Sequence, residues 1–150
     1  MYKNNIEMLG RAGETIIANY YRLHGQIVEA SVDQYDSEKD MLIDGLRCEV
    51  KTQVPWITKN SFTFKPNQLR KCLSADRVIF ISVPNSTKPH WSDGKVFLIK
   101  SSELKYTKSK TKDGREMILI PIGQPGMDKV FTISEKECKI LQKYSASAWN

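Results

Sequence analysis

The sequence has few of the residues that build disulfide frameworks or histidine-based metal sites. Its 150 residues include three cysteines and two histidines. The cysteines are odd in number, widely spaced and without a Cys-x-x-Cys pair, which excludes a disulfide scaffold and argues against structural zinc. Neither histidine has a second ligand at metal-binding spacing, which excludes a histidine-based metal site as well.

Long apolar runs are also missing. The longest, 78–83 and 118–122, are far shorter than the roughly 20 residues that cross a bilayer. The first residues lack the apolar stretch of a secretory signal. Together with reduced cysteines, these absences predict a protein of the cytoplasm that has no membrane segment.

Positive charge is in excess. Twenty-three lysines and arginines against seventeen acidic residues give a net charge of +6 and a pI near 9.2, in a chain that is 40% hydrophobic. This composition is that of an ordinary globular protein, and the length suits one domain with a sizeable core. The cation excess is compatible with a polyanionic partner such as nucleic acid.

Hydrophobic periodicity predicts a two-layer α/β domain followed by a basic C-terminal half. In the first half the order is α-β-β-β-α-β: a helix that ends at Gly25, a strand over 26–32, hairpin strands over 40–43 and 46–54, a helix from Pro66 to about Leu73, and a buried strand over 77–83. The segment from Gly10 to Gly13 in the first helix is not a P-loop, because the Gly-Lys-Ser/Thr ending of that motif is missing. We interpret these two glycines as points where the backbone closely approaches DNA or a subunit.

Asp44-Gly45 predicts a two-residue hairpin turn, since type I′ geometry needs positive φ at both central positions. A turn centred there pairs Met41 with Cys48 and then Asp40 with Glu49. The two carboxylates would stand on one face with their Cβ atoms about 4.5–5.5 Å apart. Glu49, Lys51 and Gln53 share that face because side chains alternate along a strand. Two carboxylates placed this close repel each other and lower the stability of the fold unless they bind a cation. A divalent metal ion is the obvious candidate.

This order of elements, together with the signature Asp40-x8-Glu49-Val50-Lys51, resembles the PD-(D/E)XK nuclease superfamily. The resemblance covers residues 5–83 and implies a restriction-endonuclease-like core. No proline precedes Asp40, where Lys39 stands instead, although many members of the superfamily lack that proline. The remaining residues, about 84–150, would elaborate that core within a single domain by adding a C-terminal β-ribbon and a helix.

The resemblance implies a magnesium site, with Mn²⁺ expected to substitute. Its protein ligands would be Asp40, Glu49, the backbone carbonyl of Val50 and, as an optional member, Glu14 of the first helix. Lys51 would orient the attacking water or stabilise the transition state of phosphodiester hydrolysis. Gln53 and Glu14 are included among the candidate catalytic residues.

Other interpretations of these residues remain open. Asp36 is a rival first acid, although its pairing with Glu49 would centre the turn on residues without turn chemistry. Glu14 also suits the first turns of a helix, where a carboxylate is favoured by the dipole. Asp40, Glu49 and Lys51 could instead form an exposed salt bridge on a solvated hairpin.

The second half carries the predicted DNA-binding surface. A strand over 95–100 precedes a second Asp-Gly hairpin, with strands near 105–112 and 115–120, and a capping box at Ser134 opens a final helix to about Tyr144. A two-stranded ribbon fits the DNA major groove, and lysines can meet phosphates there while hydroxyls reach base edges. The alternative is a solvated cationic hairpin. The candidate DNA-binding residues cluster around the hairpin tip and are Lys108, Lys110, Lys112, Arg115, Thr107, Ser109 and Thr111.

Over its whole length the chain resembles the intron-encoded homing endonucleases of cyanobacteria within this superfamily. That likeness implies a site-specific enzyme that cuts both strands of a long double-stranded DNA target and associates with the nucleoid when bound. One metal site per chain then requires a homo-oligomer, at least a dimer, with a tetramer as the larger alternative. A Holliday-junction resolvase, which shares the core, and a non-catalytic DNA-binding module are the alternative functions.

Overall fold

The computed structural model describes residues 5–30, 41–85 and 87–148, in which three α-helices and nine strands form a mixed α/β fold. Short 3₁₀ turns lie at Ile57–Lys59 and Ser101–Glu103. The helices and strands in chain order are α1 (Asn5–Leu23), β1 (Val28–Ala30), β2 (Met41–Ile43), β3 (Leu46–Gln53), β4 (Ser61–Phe64), α2 (Pro66–Ser74), β5 (Arg77–Ser82), β6 (Lys95–Lys100), β7 (Thr107–Lys110), β8 (Glu116–Pro121), β9 (Asp128–Thr132) and α3 (Glu135–Ala148).

The first hairpin has the predicted turn and register. Asp44 and Gly45 have φ values of 51° and 81°, so both central residues are in the positive-φ region that type I′ requires. Ile43 pairs with Leu46, and Met41 pairs with Cys48. The Asp44 carboxylate also accepts a hydrogen bond from the backbone N–H of Ile27 at 2.9 Å, which ties the turn to the segment after α1.

The larger sheet has the strand order β1-β2-β3-β5-β6-β9. β3 and β5 run parallel and are joined through α2, whereas the other neighbouring pairs are antiparallel. Gln53 at the end of β3 is therefore beside Ser82 at the end of β5. The carboxyl ends of two parallel strands meet at this edge, which is where ligands commonly bind in α/β folds.

Both faces of this sheet are covered, so the fold has three layers rather than the two predicted. On one face α1 and α3 pack on the sheet, and the buried cluster between them includes Ile79 and Ile81 of β5 and Leu141 of α3. On the other face α2 and the smaller sheet enclose a second cluster that includes Phe62 and Phe80. Since neighbours along a strand point to opposite faces, β5 supplies buried side chains to both clusters, which accounts for its continuous apolar sequence.

Gly13 lets α1 pack directly on β3. A Cβ at this position would lie 1.9 Å from the Oγ1 atom of Thr52, a distance that no real contact allows. The close approach predicted for this glycine therefore exists, but its partner is β3 of the same chain rather than DNA or a subunit.

The smaller sheet has the order β4-β8-β7. The β7–β8 hairpin was predicted as an added ribbon, but β8 pairs along its other edge with β4, a strand that was not predicted. Phe62 and Phe64 alternate with Ser61 and Thr63, and this period-two pattern is the signal that indicates β4 in the sequence.

The second half of the chain also completes the larger sheet. β6 and β9 extend it beyond β5, and α3 packs against α1. The capping box at the start of α3 is formed as predicted, because Ser134 Oγ accepts the Glu137 N–H at 3.1 Å and the Glu137 carboxylate accepts the Ser134 N–H at 2.9 Å. Among the helices of the described residues, none combines the length and apolarity needed to cross a membrane.

Candidate active site

Glu49 and Lys51 form an ion pair on one face of β3. The Lys51 Nζ atom lies 3.0 Å from a carboxylate oxygen of Glu49, and the side chains of Lys51 and Glu49 are only 14% and 12% exposed, respectively. The predicted face is confirmed, since Glu49, Lys51 and Gln53 pair with Val78, Phe80 and Ser82 of β5, on the side opposite the Cys48 and Val50 side chains.

This ion pair is enclosed by the smaller sheet and α2. The Lys51 Nζ atom lies 5.8 Å from the centre of the buried Phe64 ring. Burial raises the pKa of the Cys72 thiol on α2 to about 12, while the charge of Lys51 acts to lower that pKa and the charge of Glu49 acts to raise it. The pair is therefore not the solvated surface salt bridge considered as an alternative. Removing two charges from water costs desolvation free energy, and this cost is offset only if the ion pair has good geometry and further hydrogen bonds.

Asp40, the predicted partner of Glu49, lies outside the described residues, as does its rival Asp36. The last described pair of the hairpin is Met41 with Cys48. One further step of the same register would set Asp40 opposite Glu49 on the face that carries Lys51. The position of the first acid remains a prediction.

The Val50 carbonyl points away from β5. The carbonyls of Arg47 and Gln53 accept hydrogen bonds from the N–H groups of Asp76 and Val83, each at 2.9 Å, on the β5 side. Successive carbonyls along a strand point in opposite directions. The Val50 oxygen is therefore directed towards the β2 side, where the register would bring Asp40.

Glu14 belongs to the layer on the opposite face of the sheet. Its neighbour Gly13 contacts Thr52, whose side chain points away from the Lys51 face, and Glu14 itself is exposed. The fold thus brings Glu49 and Lys51 together but not Glu14 on the same face. A shared site would have to form around the end of β3.

Gln53 connects the two sheets. Its carboxamide donates a hydrogen bond to the Thr63 carbonyl at 2.9 Å and accepts one from the Thr63 N–H at 2.7 Å. Both bonds are of the kind a neighbouring strand would make, so the Gln53 side chain pairs with the edge of β4 that β8 leaves open. The structure gives Gln53 a positioning role, and its participation in chemistry stays a prediction.

A groove of about 660 Å³ opens at the carboxyl ends of β3 and β5. The segments after these two strands contribute Val54 to Thr58, Pro84, Asn85 and Lys88, while Thr63 and Met117 form the wall made by the smaller sheet, and Gln142 and Ser145 of α3 contribute from the far side. No local sequence pattern predicts this groove, because its walls come from segments that are far apart in the chain.

The lysines and hydroxyls of β7 lie on opposite faces, as the alternation predicts. Lys108 and Lys110 pair with Ile118 and Glu116, whereas Ser109 pairs with Met117, which lines the groove. Thr107 shares the Ser109 face, and both lysines are exposed. The hydroxyl row therefore continues the groove wall.

The tip of this hairpin differs from that of the first. Lys112 to Gly114 form a three-residue loop, with the Thr111 N–H bonded to the Arg115 carbonyl at 2.8 Å and the Gly114 N–H bonded to the Thr111 carbonyl at 3.0 Å. The Thr111 hydroxyl bonds to the Asp113 carboxylate, and Arg115 forms an exposed ion pair with Asp113 at 2.9 Å. Thr111 and Arg115 are thus engaged in the turn, while Lys108, Lys110 and Lys112 remain exposed.

Within residues 5–30, 41–85 and 87–148, no three His, Cys, Asp or Glu side chains are grouped as a metal site. Glu49 and the Val50 carbonyl nevertheless offer two hard oxygen donors on adjacent residues of β3, and Mg²⁺ commonly takes one or two protein carboxylates. These donors fit the predicted ion provided that a second acid joins them.

Comparison of the chain with family models, curated proteins and solved structures finds no match.

Proposed function

We propose that this protein is a magnesium-dependent DNA endonuclease with a core of the PD-(D/E)XK type. The observation that carries the proposal is the Glu49–Lys51 ion pair, held at low exposure on one face of β3 beside a hairpin whose register leads to Asp40. A carboxylate and a lysine held in this way, joined by a second acid as the register predicts, would suit phosphodiester hydrolysis better than stability.

Asp40, Glu49 and the Val50 carbonyl would hold the metal ion, which when bound polarises the phosphate and lowers the pKa of a coordinated water. Lys51 lies 3.0 Å from Glu49. It would place a positive charge beside the non-bridging oxygens, where negative charge increases in the transition state, or would orient the attacking water. Gln53 fixes the edge of β4 and thereby the wall beside this site.

DNA selection is assigned to the smaller sheet. Its edge strand β7 presents exposed Lys108 and Lys110 on one face and the hydroxyls of Thr107 and Ser109 on the other. The lysines would contact phosphates, and the hydroxyls would reach base edges. An edge strand of this kind supports a site-specific enzyme that cuts both strands of a long target, and with one site per chain we propose that at least two subunits act together.

The test combines three substrates with variants of the site. Wild-type protein is incubated with supercoiled plasmid, random linear duplex and a synthetic four-way junction, each in Mg²⁺, Mn²⁺, Ca²⁺ or EDTA. Cleavage in Mg²⁺ and Mn²⁺ but not in EDTA is expected. Lys51→Ala should reduce cleavage by at least about 10²-fold, while binding to DNA in Ca²⁺ stays close to that of wild type.

Asp40→Asn and Asp36→Asn, made in parallel, identify the first acid. We expect Asp40→Asn to abolish cleavage and Asp36→Asn to retain it. The opposite result would assign the metal to Asp36, and undiminished cleavage by Lys51→Ala would disprove the proposed site. Efficient cutting of the junction with no preference among duplexes would indicate a resolvase instead.

A further inference from the structure

The groove at the carboxyl ends of β3 and β5 presents an exposed aromatic ring. Trp56 is 40% exposed and follows the last residue of β3 by three positions. Lys59 lies over its ring, with Nζ 5.9 Å from the ring centre. A large ring left partly in water at the rim of a groove is unusual for a residue that serves packing alone.

The backbone of Trp56 is fixed without help from its side chain. Its N–H donates to the Ser61 carbonyl at 2.9 Å, and its carbonyl accepts from the Ser61 N–H at 3.3 Å. Between these residues the chain makes a 3₁₀ turn that ends at Asn60 in the left-handed region, with φ 49°. The loop therefore fixes the backbone from which the indole projects, so that no loop ordering is needed when a ligand binds to the ring.

The chemistry of the groove suits one strand of nucleic acid. None of the described residues that line it is acidic, whereas Lys88 lies in its wall and Lys59 beside its aromatic rim. Thr63 and Met117 continue this wall onto the hydroxyl face of β7. An aromatic ring combined with a cationic track is the arrangement by which proteins bind unstacked bases.

We propose that the groove binds a segment of DNA strand adjacent to the cleavage site and that a base, unstacked from its neighbours, packs against Trp56. The inference rests on the proposed nuclease function, because Gln53 joins the groove wall to the strand that carries Lys51. The apolar side chains of the groove favour a partly single-stranded or kinked substrate over an undistorted duplex.

The test measures binding of fluorescently labelled (dT)₁₂ and of a random 20-base-pair duplex by anisotropy in EDTA, which prevents cleavage. The variants are Trp56→Leu, Trp56→Phe and, as a matched control, Trp91→Leu. Trp91 is 52% exposed, but its ring packs on Phe97 and Gly123 outside the groove. Thermal melts establish that each variant is folded.

Trp56→Leu should weaken (dT)₁₂ binding at least about fivefold, since leucine offers no ring on which a base can stack. Trp56→Phe should stay within about twofold of wild type because the aromatic face remains. Equal binding by wild type and Trp56→Leu, an equal weakening in Trp91→Leu, or no binding of (dT)₁₂ by wild type would overturn the inference.

The same variants separate this inference from the nuclease proposal. If wild type fails to cleave with Mg²⁺ while (dT)₁₂ binding still depends on Trp56, the groove stands and the nuclease proposal fails. If wild type cleaves and Trp56→Leu binds and cleaves equally well, the nuclease proposal stands and the groove inference fails.

Discussion

Gln53 couples the site strand to the smaller sheet through a single side chain. Both of its hydrogen bonds go to the backbone of Thr63, and the residue is only partly exposed. Removing the carboxamide would leave a backbone donor and a backbone acceptor without partners at a partly buried edge. Such groups cost free energy because they have given up water without gaining a replacement.

Gln53→Leu should therefore lower the free energy of unfolding by about 1–3 kcal/mol, since it keeps the bulk of the side chain and removes both bonds. Gln26→Leu is the control, because Gln26 is partly exposed and its side chain donates a hydrogen bond to Asp44 near the surface. That change should cost no more than about 0.5 kcal/mol. Urea unfolding measures both, and a Gln53→Leu protein as stable as wild type would show that β4 needs no such partner.

Gly13 and Gly10 make a second residue-scale comparison within one helix. Gly13→Ala adds a methyl group where Thr52 already lies, and Gly10→Ala adds one where nothing is within 4 Å. We expect Gly13→Ala to destabilise the protein by about 1–3 kcal/mol through overpacking. Gly10→Ala should stabilise it by about 0.5–1 kcal/mol, since alanine is the better helix former.

The double variant Gly13→Ala, Thr52→Ala tests whether contact with Thr52 causes the destabilisation. Thr52→Ala removes the hydroxyl group, which is the atom closest to the added Cβ, and the methyl group, and leaves only the Cβ of residue 52 at 3.0 Å, so the double variant should recover much of the stability. Equal stability of Gly13→Ala and wild type in urea would mean that α1 can shift away from β3, to make room for the methyl group, without a loss in the free energy of unfolding.

At the scale of elements, the first hairpin is defined by its turn. Hydrogen bonds from the Ile27 backbone and the Gln26 side chain lower the pKa of the Asp44 carboxyl below its ordinary value. A carboxyl whose pKa is lower in the folded state contributes stability above the unfolded pKa of about 3.9. That contribution disappears as the pH falls through the folded pKa.

Asp44→Asn should keep the turn, because asparagine also tolerates the left-handed conformation, but it removes the charge that these donors favour. The variant should be less stable than wild type at pH 7, and the difference should shrink as the pH falls below about 3.9. Thermal melts from about pH 2 to about pH 7, a range chosen to bracket that value, would check this. If the difference in stability between Asp44→Asn and wild type were the same at the acidic end of this range as at pH 7, the cause would be the geometry of the turn rather than the charge of Asp44.

The hairpin register and the Glu49–Lys51 face followed from the sequence because one dipeptide fixes them locally. β4 did not, because its partner β8 is distant along the chain and only four residues carry its pattern. The same long-range pairing makes the β7–β8 hairpin part of a sheet rather than a free ribbon. It also engages Gln53 with Thr63, which no property of Gln53 alone indicates.

The exposed lysines of the second hairpin should govern the electrostatics of DNA binding. Changing Lys108, Lys110 and Lys112 to alanine removes the three exposed ammonium groups that would meet phosphates. For every phosphate that is no longer neutralised, the slope of log K against log salt should become shallower by about 0.9. The control changes three other exposed lysines, on β9 and α3, which are Lys129, Lys136 and Lys139. Equal slopes for the two triple variants would locate the DNA-binding surface elsewhere.

At the scale of the whole molecule, one Glu49–Lys51 pair per chain sets a stoichiometric limit on the proposed chemistry. The two strands of a duplex run in opposite directions, so cutting both at one position with a single site requires either two subunits related by a two-fold axis or a release and rebinding step. These routes give different products when active and inactive chains share one particle.

Wild-type and Lys51→Ala chains are co-expressed in equal amounts with different affinity tags and purified through both tags in turn. For a dimer, this gives particles with one active and one inactive subunit. If the sites act in pairs, such a particle cuts one strand and should convert supercoiled plasmid, in excess, into nicked circles. Particles purified from wild type alone should give linear product under the same conditions, because each carries two active sites. Linear product from the mixed particles at about half the wild-type rate, without accumulation of nicked circles, would mean that one subunit cuts both strands in turn and would remove the need for a dimer.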